Sequence, residues 1–130
     1  TKAGTYADEP GFLAGFSDEV LQHFTDITNK TVLCDADGGG SETTIDRVFL
    51  ASYTEMFGLN NSGISEGRHL SVRYSDNNSR IKSGAFGWYL MRSPSVYNSF
   101  NVRYVYGDGY DNYGNAYNGS YGIAPLIVLH

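Results

Sequence analysis

Between Tyr97 and Tyr121 the chain uses an alphabet of almost four letters: seven Tyr, five Asn, four Gly and two Ser in 25 residues. The fold must carry this stretch between two apolar segments, "GWYLMRSP" (87–94) and "IAPLIVL" (123–129). Three readings compete for it. Low-complexity disorder is poor in aromatic residues and rarely lies between two apolar strands. Plain strand and loop content is the second, because Tyr favours strands while Asn and Gly favour turns. The third is a binding surface. Tyr brings large amphipathic contact area at low entropic cost, and Ser, Gly and Asn between the rings adapt their hydrogen bonding and backbone, as in antibody paratopes. The excess of tyrosine favours the third reading. It places ligand contacts on Tyr97, Asn98, Ser99, Asn101, Tyr104, Tyr106, Tyr110, Asp111, Asn112, Tyr113, Asn115, Tyr117 and Asn118.

The flanking sequence predicts an α+β fold, short helices followed by a mostly antiparallel sheet. Ser17 can cap a helix, Asp18 and Glu19 suit its positive end, and Phe16, Val20, Phe24 and Ile27 make one apolar stripe running to Asn29. "DRVFLAS" (46–52) reads as a buried strand, and Ser52-Tyr53-Thr54-Glu55 as a capping box opening a helix that Gly58 stops. Residues 59–83 are polar and turn-rich. A second block opens at Phe86 with a strand ending at Pro94. "NVRYVY" then alternates Val102, Tyr104 and Tyr106 against Arg103 and Val105, and Gly107-Asp108-Gly109 supplies a hairpin turn. "IAPLIVL" reads as a central strand buried on both sides. Val102, Val105 and this last strand are expected in the core, and the tyrosine rings at 104, 106, 110, 113 and 117 on one exposed face.

At 130 residues the chain is most simply one domain, residues 1–130, with its ligand-binding segment at about 97–121. A formal charge of −5 with no basic run argues against nucleic acid as partner, and no apolar run approaches a membrane span. The lone Cys34 rules out an internal disulfide framework and reads as a core thiol.

Rival chemistry is thin. Asp35, Asp37, Gly40 and Asp46 fall at positions 1, 3, 6 and 12 of a calcium-loop count, yet position 5 is Gly39 and the loop runs into a strand, so a plain acidic loop is the better reading and no metal or cofactor is expected. His23, His69 and His130 show no paired ligand spacing, and His23 reads as a surface residue. Arg92 reads as a structural charge paired with an aspartate such as Asp46 in preference to a ligand contact.

"GFSDEVLQHF", "TTIDRVFLASYTEMFG", "GWYLMRSPS" and "YGIAPLIVLH" resemble, in order, the blocks of an uncharacterised bacterial and phage domain family: Phe-Ser-x-Glu, T-x-D-x-V-F-L-L-S, W-W-L-R-S-P and G-V-R-P-A-L. Trp88, Arg92, Ser93 and Pro94 fit the third block, whereas Ala124 stands where the closing block usually has Arg. That family resembles the C-type lectin fold, and some members resemble the variable proteins of diversity-generating retroelements, which carry adenine-directed substitutions near their C-terminus. Changing only the adenines of an AAC or AAT codon yields Tyr, Ser, Gly, Asp, His, Phe and Ala, the alphabet of this tail. The resemblance implies a C-type lectin-like ligand-binding domain without catalysis or cofactor. It would recognise a protein or glycan ligand on a host or partner cell surface, from a phage virion or a bacterial cell surface. A fixed carbohydrate-binding or adhesion module is the alternative, and an enzyme of the formylglycine-generating branch of the superfold a third.

Overall fold

The computed structural model describes residues 10–82 and 87–130; Phe86, the expected opening of the second block, lies outside them. Ser17 caps α1 (Asp18–Leu21) as expected, its hydroxyl accepting the Val20 N–H at 3.4 Å. The apolar stripe does not continue as a helix. Phe24 instead bridges Leu129 and Ile27 opens strand β1 (Ile27–Val32). A distant partner decides this: the Thr25 N–H donates to the Val128 carbonyl at 2.8 Å and the His130 N–H to the His23 carbonyl at 2.9 Å. The C-terminal segment thus takes the backbone groups a second helical turn would need, and β-branched Thr25, Ile27 and Thr28 favour extended backbone. The aromatic spacing still has a use, since Phe16 packs edge-on against Phe24 with centroids 5.2 Å apart.

Strand β1 pairs antiparallel with β2 (Ser41–Asp46) in a two-stranded ribbon, from Ile27 opposite Asp46 to Val32 opposite Ser41. Cys34, at the end of the ribbon, is buried. The expected 46–52 strand contracts to β3 (Phe49–Leu50). Ser52 and Glu55 then form a reciprocal capping box that starts α2 (Tyr53–Phe57), and Gly58, with φ 71°, ends it in the left-handed region. Residues 59–82 are turns, apart from a helical turn the sequence reading missed, α3 (Asn77–Arg80), capped by Asp76.

The larger sheet is antiparallel, in the order β4 (Tyr89–Pro94), β5 (Asn101–Val105), β6 (Asp111–Asn115), with a register break in β4 between Leu90 and Pro94. Tyr89 and Met91 point inward from β4 and Val105 from β5, joining Ala51, Met56, Tyr74 and Leu126 in the core. Each large apolar side chain buried there stabilises the fold by about 1.5–3 kcal/mol. Short helices with antiparallel sheets make the fold α+β.

Two expectations are corrected. "IAPLIVL" is not a doubly buried strand: beyond the single bridge of Leu129 to Phe24, only β7 (Pro125–Leu126) forms a ladder, with β3, and Ile123 and Leu129 stay 67% and 63% exposed. The segment laces three neighbours in turn, Gly122 with Trp88 and Leu90, then β7 with β3, then Val128 and His130 with Thr25 and His23. No single partner lasts long enough for a central strand, and Pro125 lacks the N–H a ladder needs. Arg92 is indeed a structural charge, but its partner is Glu55, at 2.6 Å, and not Asp46. The capping box holds the Glu55 carboxylate under β4, whereas Asp46 accepts from Asn29 across the ribbon and from Thr44 on its own strand.

Candidate ligand-recognition face

The β5–β6 hairpin positions most of the tyrosine-rich segment. Its register sets Val102 opposite Gly114 and Tyr104 opposite Asn112 on one face, and Arg103 opposite Tyr113 and Val105 opposite Asp111 on the other. On this second, inward face the Arg103 guanidinium lies between two rings, 3.8 Å from the Tyr53 centroid and 4.3 Å from that of Tyr113. It donates to the Asn61 side-chain carbonyl at 3.2 Å and to the Asp111 carboxylate at 2.5 Å. Attraction to two ring faces and a charge-assisted hydrogen bond clamp edge strand β6 to the body of the fold. Asp111 and one face of Tyr113, expected to meet ligand, are therefore engaged internally.

The outer face brings a second correction. Tyr104 was expected exposed and is only 6% exposed, because Tyr121 lies over it at 4.7 Å and Trp88 stacks at 6.0 Å. Burial, and then the neighbouring Tyr121 and Tyr106 phenols, push the Tyr104 phenol above its ordinary pKa. Gly114 makes this packing possible: a Cβ there would fall on the Tyr121 hydroxyl and press the Tyr104 ring. Val102, expected in the core, is half-buried. Trp88 stacks on Tyr106 at 4.9 Å, so Trp88, Tyr104, Tyr106 and Tyr121 form one aromatic cluster with Tyr106 at its exposed edge.

Tyr97, Tyr110 and Tyr117 stand in solvent, 82%, 59% and 77% exposed. Tyr110 follows the 107–109 turn, where the Tyr106 N–H donates to its carbonyl at 2.8 Å. Arg80 pins that tip by donating to the Gly109 carbonyl at 3.0 Å. Tyr97 and Tyr117 belong to the opposite end of the hairpin, where the Ala116 N–H donates to the Phe100 carbonyl at 2.8 Å. There the Asn98 side-chain carbonyl accepts the Phe100 N–H at 3.3 Å and that of Asn118 the Ser120 N–H at 3.0 Å, each closing a local turn. Asn101 and Asn115 pair across the strands beside exposed Ser99, and Asn112 is exposed in mid-strand. Strand rise is about 3.4 Å per residue, so the two ends of β5 lie on the order of 15 Å apart. The thirteen expected contacts therefore divide into a tip group, an open-end group, members packed inward and Asn112, exposed between the ends.

Sequence reasoning missed Trp88 and Tyr121 as parts of this surface, and Phe100, 55% exposed at the open end. The signal for the first two was the aromatic spacing on either side of the hairpin. Grooves of about 640, 650 and 560 Å³ are all lined by residues outside 97–121, so none of the three is built by the tyrosine-rich segment. Among the described residues no group of three His, Cys, Asp or Glu gathers to hold a metal, and no helix is long and apolar enough to cross a membrane. Hydrogen bonds from Thr44 and Asn29 hold the Asp46 carboxyl below its ordinary pKa, with a smaller pull from Arg92. His23 is exposed and its Nδ1 meets the His130 carbonyl at 3.1 Å.

Residues 8–130 match the model of a protein family described as a domain of unknown function (DUF6273). No curated protein and no solved structure matches the chain.

Proposed function

From the premise that this chain belongs to the DUF6273 family, we propose that it is a ligand-recognition domain that binds without catalysis or cofactor and carries its contacts on the β5–β6 hairpin and the loops flanking it. The observation that carries the reading is the exposure of Tyr97, Tyr110 and Tyr117 on a hairpin held to the fold by Arg103 and Arg80. Rings displayed on a fixed frame lose little conformational freedom on contact, and aromatic anchors at such surfaces commonly contribute about 2 kcal/mol or more each. In this reading Tyr104, Tyr121, Asp111 and Gly114 shape the support, while Tyr97, Ser99, Tyr106, Tyr110, Asn112 and Tyr117 meet the ligand.

The finer reading is a C-type lectin-like variable protein of a diversity-generating retroelement, displayed on a phage virion or bacterial surface and directed at a protein or glycan on a host or partner cell. The four sequence blocks support it by falling on successive elements: α1, then β2 to α2, then β4, then β7. The gene's DNA tests it. The Tyr, Asn, Ser and Gly codons of 97–121 should largely be TAY, AAY, AGY and GGY, with a near-copy carrying adenines close by. TCN codons at Ser99 and Ser120 without such a copy would overturn it. The stacked Trp88 and Tyr106 favour one second reading, a fixed glycan-binding module in which sugar rings stack on that pair. A glycan array with Trp88→Ala and Tyr106→Ala variants separates the two, since only the fixed module requires both rings.

A further inference from the structure

The stretch from 67 to 82 holds four of the chain's nine Lys and Arg, at 68, 73, 80 and 82, and one of its fourteen Asp and Glu, Asp76. A chain of net charge −5 thus contains one cationic segment. Among the described residues the ion pairs are Arg47 with Asp26, Arg92 with Glu55 and Arg103 with Asp111, and none of them involves the four. Arg80 is buried, yet carbonyls of Gly109 and Met56, the Asn77 side chain and the Phe57 ring hold it, not a carboxylate. Asp76 caps α3 by accepting the Ser79 N–H at 2.8 Å. Arg73 and Lys82 sit beside the buried Tyr74 ring, 5.6 and 5.8 Å from its centroid.

The turn carrying Arg68 and Arg73 is firmly anchored. The Leu70 N–H donates to the Glu55 carbonyl at 2.8 Å, and the Arg73 and Tyr74 N–H groups donate back to the Leu70 carbonyl at 2.9 and 2.8 Å. The His69 ring packs against Gly58, and its Nε2 meets the Tyr74 carbonyl at 3.2 Å. At the tip of this fixed turn Val72 is wholly exposed, with Arg68 and Arg73 exposed beside it along a shallow groove of about 560 Å³ that Leu70 also lines.

We propose that the 68–73 turn is a docking site for an acidic polypeptide segment, whose carboxylates pair with Arg68 and Arg73 while an apolar side chain covers Val72 and Leu70. Charge complementarity selects the acid, because guanidinium groups take carboxylates in directed, charge-assisted pairs and such pairs set partner choice. The apolar tip selects a polypeptide over a sulfated glycan, which has no hydrocarbon side chain to cover a valine. Anchoring the turn beforehand lowers the ordering cost of binding. The inference is independent of the tyrosine-rich hairpin.

Fluorescence anisotropy of a labelled peptide alternating Glu and Leu, titrated with the whole chain, tests it. Binding should be saturable and should weaken about tenfold between about 50 and about 300 mM NaCl. Peptides alternating Glu with Ser or Lys with Leu, and a sulfated oligosaccharide, should bind far more weakly. Arg68→Glu with Arg73→Glu should abolish binding and Val72→Ser should weaken it about fivefold, whereas Tyr110→Ser should leave it unchanged. Arg73 touches Tyr74, so the exposed Arg68→Glu alone carries the test if the double variant melts early, and should weaken binding about tenfold. The proposal is overturned if the Glu-Leu peptide fails to bind, if Arg68→Glu leaves its affinity intact, or if the sulfated oligosaccharide binds as tightly as the peptide.

Discussion

The Glu55 carboxylate and the Arg92 guanidinium meet in two hydrogen bonds of 2.6 and 2.9 Å, and each side chain is only 12% exposed. The same carboxylate closes the capping box of α2 by accepting the Ser52 N–H at 2.9 Å. Arg92 also donates to the carbonyls of Lys30, Leu50 and Glu66, so one cation on β4 ties together β1, β3, α2 and the 59–82 turns.

Removing one partner should therefore cost more than a surface pair would. Glu55→Gln keeps an acceptor for the cap but leaves the guanidinium buried without its counter-charge, and is expected to destabilise by about 3–5 kcal/mol. Glu55→Ala should add about 1 kcal/mol by opening the cap as well. Urea unfolding of both variants checks this. A loss under about 1 kcal/mol for Glu55→Gln would show the pair to behave like an exposed ion pair.

High pH should unfold the protein through specific phenols. Burial pushes the Tyr89 phenol far up, with a smaller push from Tyr74, and its hydroxyl donates to the Arg80 carbonyl. Burial likewise raises Tyr53 and Tyr104. The unfolded chain ionises these groups near pH 10 while the folded chain does not, so their contribution is complete below about pH 10 and is lost as pH rises beyond it. Tyrosinate absorbance should rise in more than one phase, the last coinciding with loss of the near-ultraviolet circular dichroism. Tyr89→Phe should shrink that last phase; an unchanged amplitude would exclude Tyr89 from it.

Signals spanning three or four residues were legible in the sequence. The Ser52 cap with Glu55, the stop at Gly58, the alternation along β5 and the 107–109 turn all depend on neighbours in the chain. What was not legible depends on remote partners. The spacing from Phe16 to Ile27 suits a helix, but the strand beginning at Ile27 and the bridge from Phe24 to Leu129 take the backbone first. Alternation sets Tyr104 and Tyr106 alike, and only the return of Tyr121 over Gly114 buries one and leaves the other at the rim. Alternation sets Arg103 on the face of Val105, and only remote Tyr53 and Asn61 supply the ring and the carbonyl that hold its charge there. The ribbon strands "ITNKTV" and "SETTID" carried a β-branched signal that could have been read.

Two glycines of the hairpin should respond differently to one added methyl. At Gly109, φ is 85° and a Cβ would strike the Asn77 backbone carbonyl, so Gly109→Ala combines left-handed strain with a clash that neither side can relieve. A cost of at least about 2 kcal/mol is expected. At Gly114 the obstacles are side chains, the end of Tyr121, which can swing away, and the edge of the Tyr104 ring, which has then only to give slightly. Gly114→Ala should then cost only about 1 kcal/mol, the worth of the Tyr121–Tyr104 ring contact. Melting curves give the order; a greater loss for Gly114→Ala would mean that Tyr121 is fixed in place.

The last prediction separates support from display within the tyrosine-rich segment. Tyr97, Tyr110 and Tyr117 are exposed, and exposed substitutions usually change stability by no more than about 0.5 kcal/mol, so replacing all three with Ser should move the unfolding midpoint little. Tyr104→Ala empties the space beneath Tyr121 and Trp88, and Leu126→Ala opens the core beside Met56 and Tyr89. The first should cost about 3 kcal/mol and the second about 2–5 kcal/mol through the cavities they leave. All four variant proteins' urea midpoints, compared with that of the parent chain, decide the matter, with Trp88→Ala as the fourth, expected near Tyr104→Ala because its ring stacks on both Tyr104 and Tyr106. A triple Tyr→Ser variant as unstable as Tyr104→Ala would mean that those rings hold the fold together, and the hairpin would no longer qualify as a display surface.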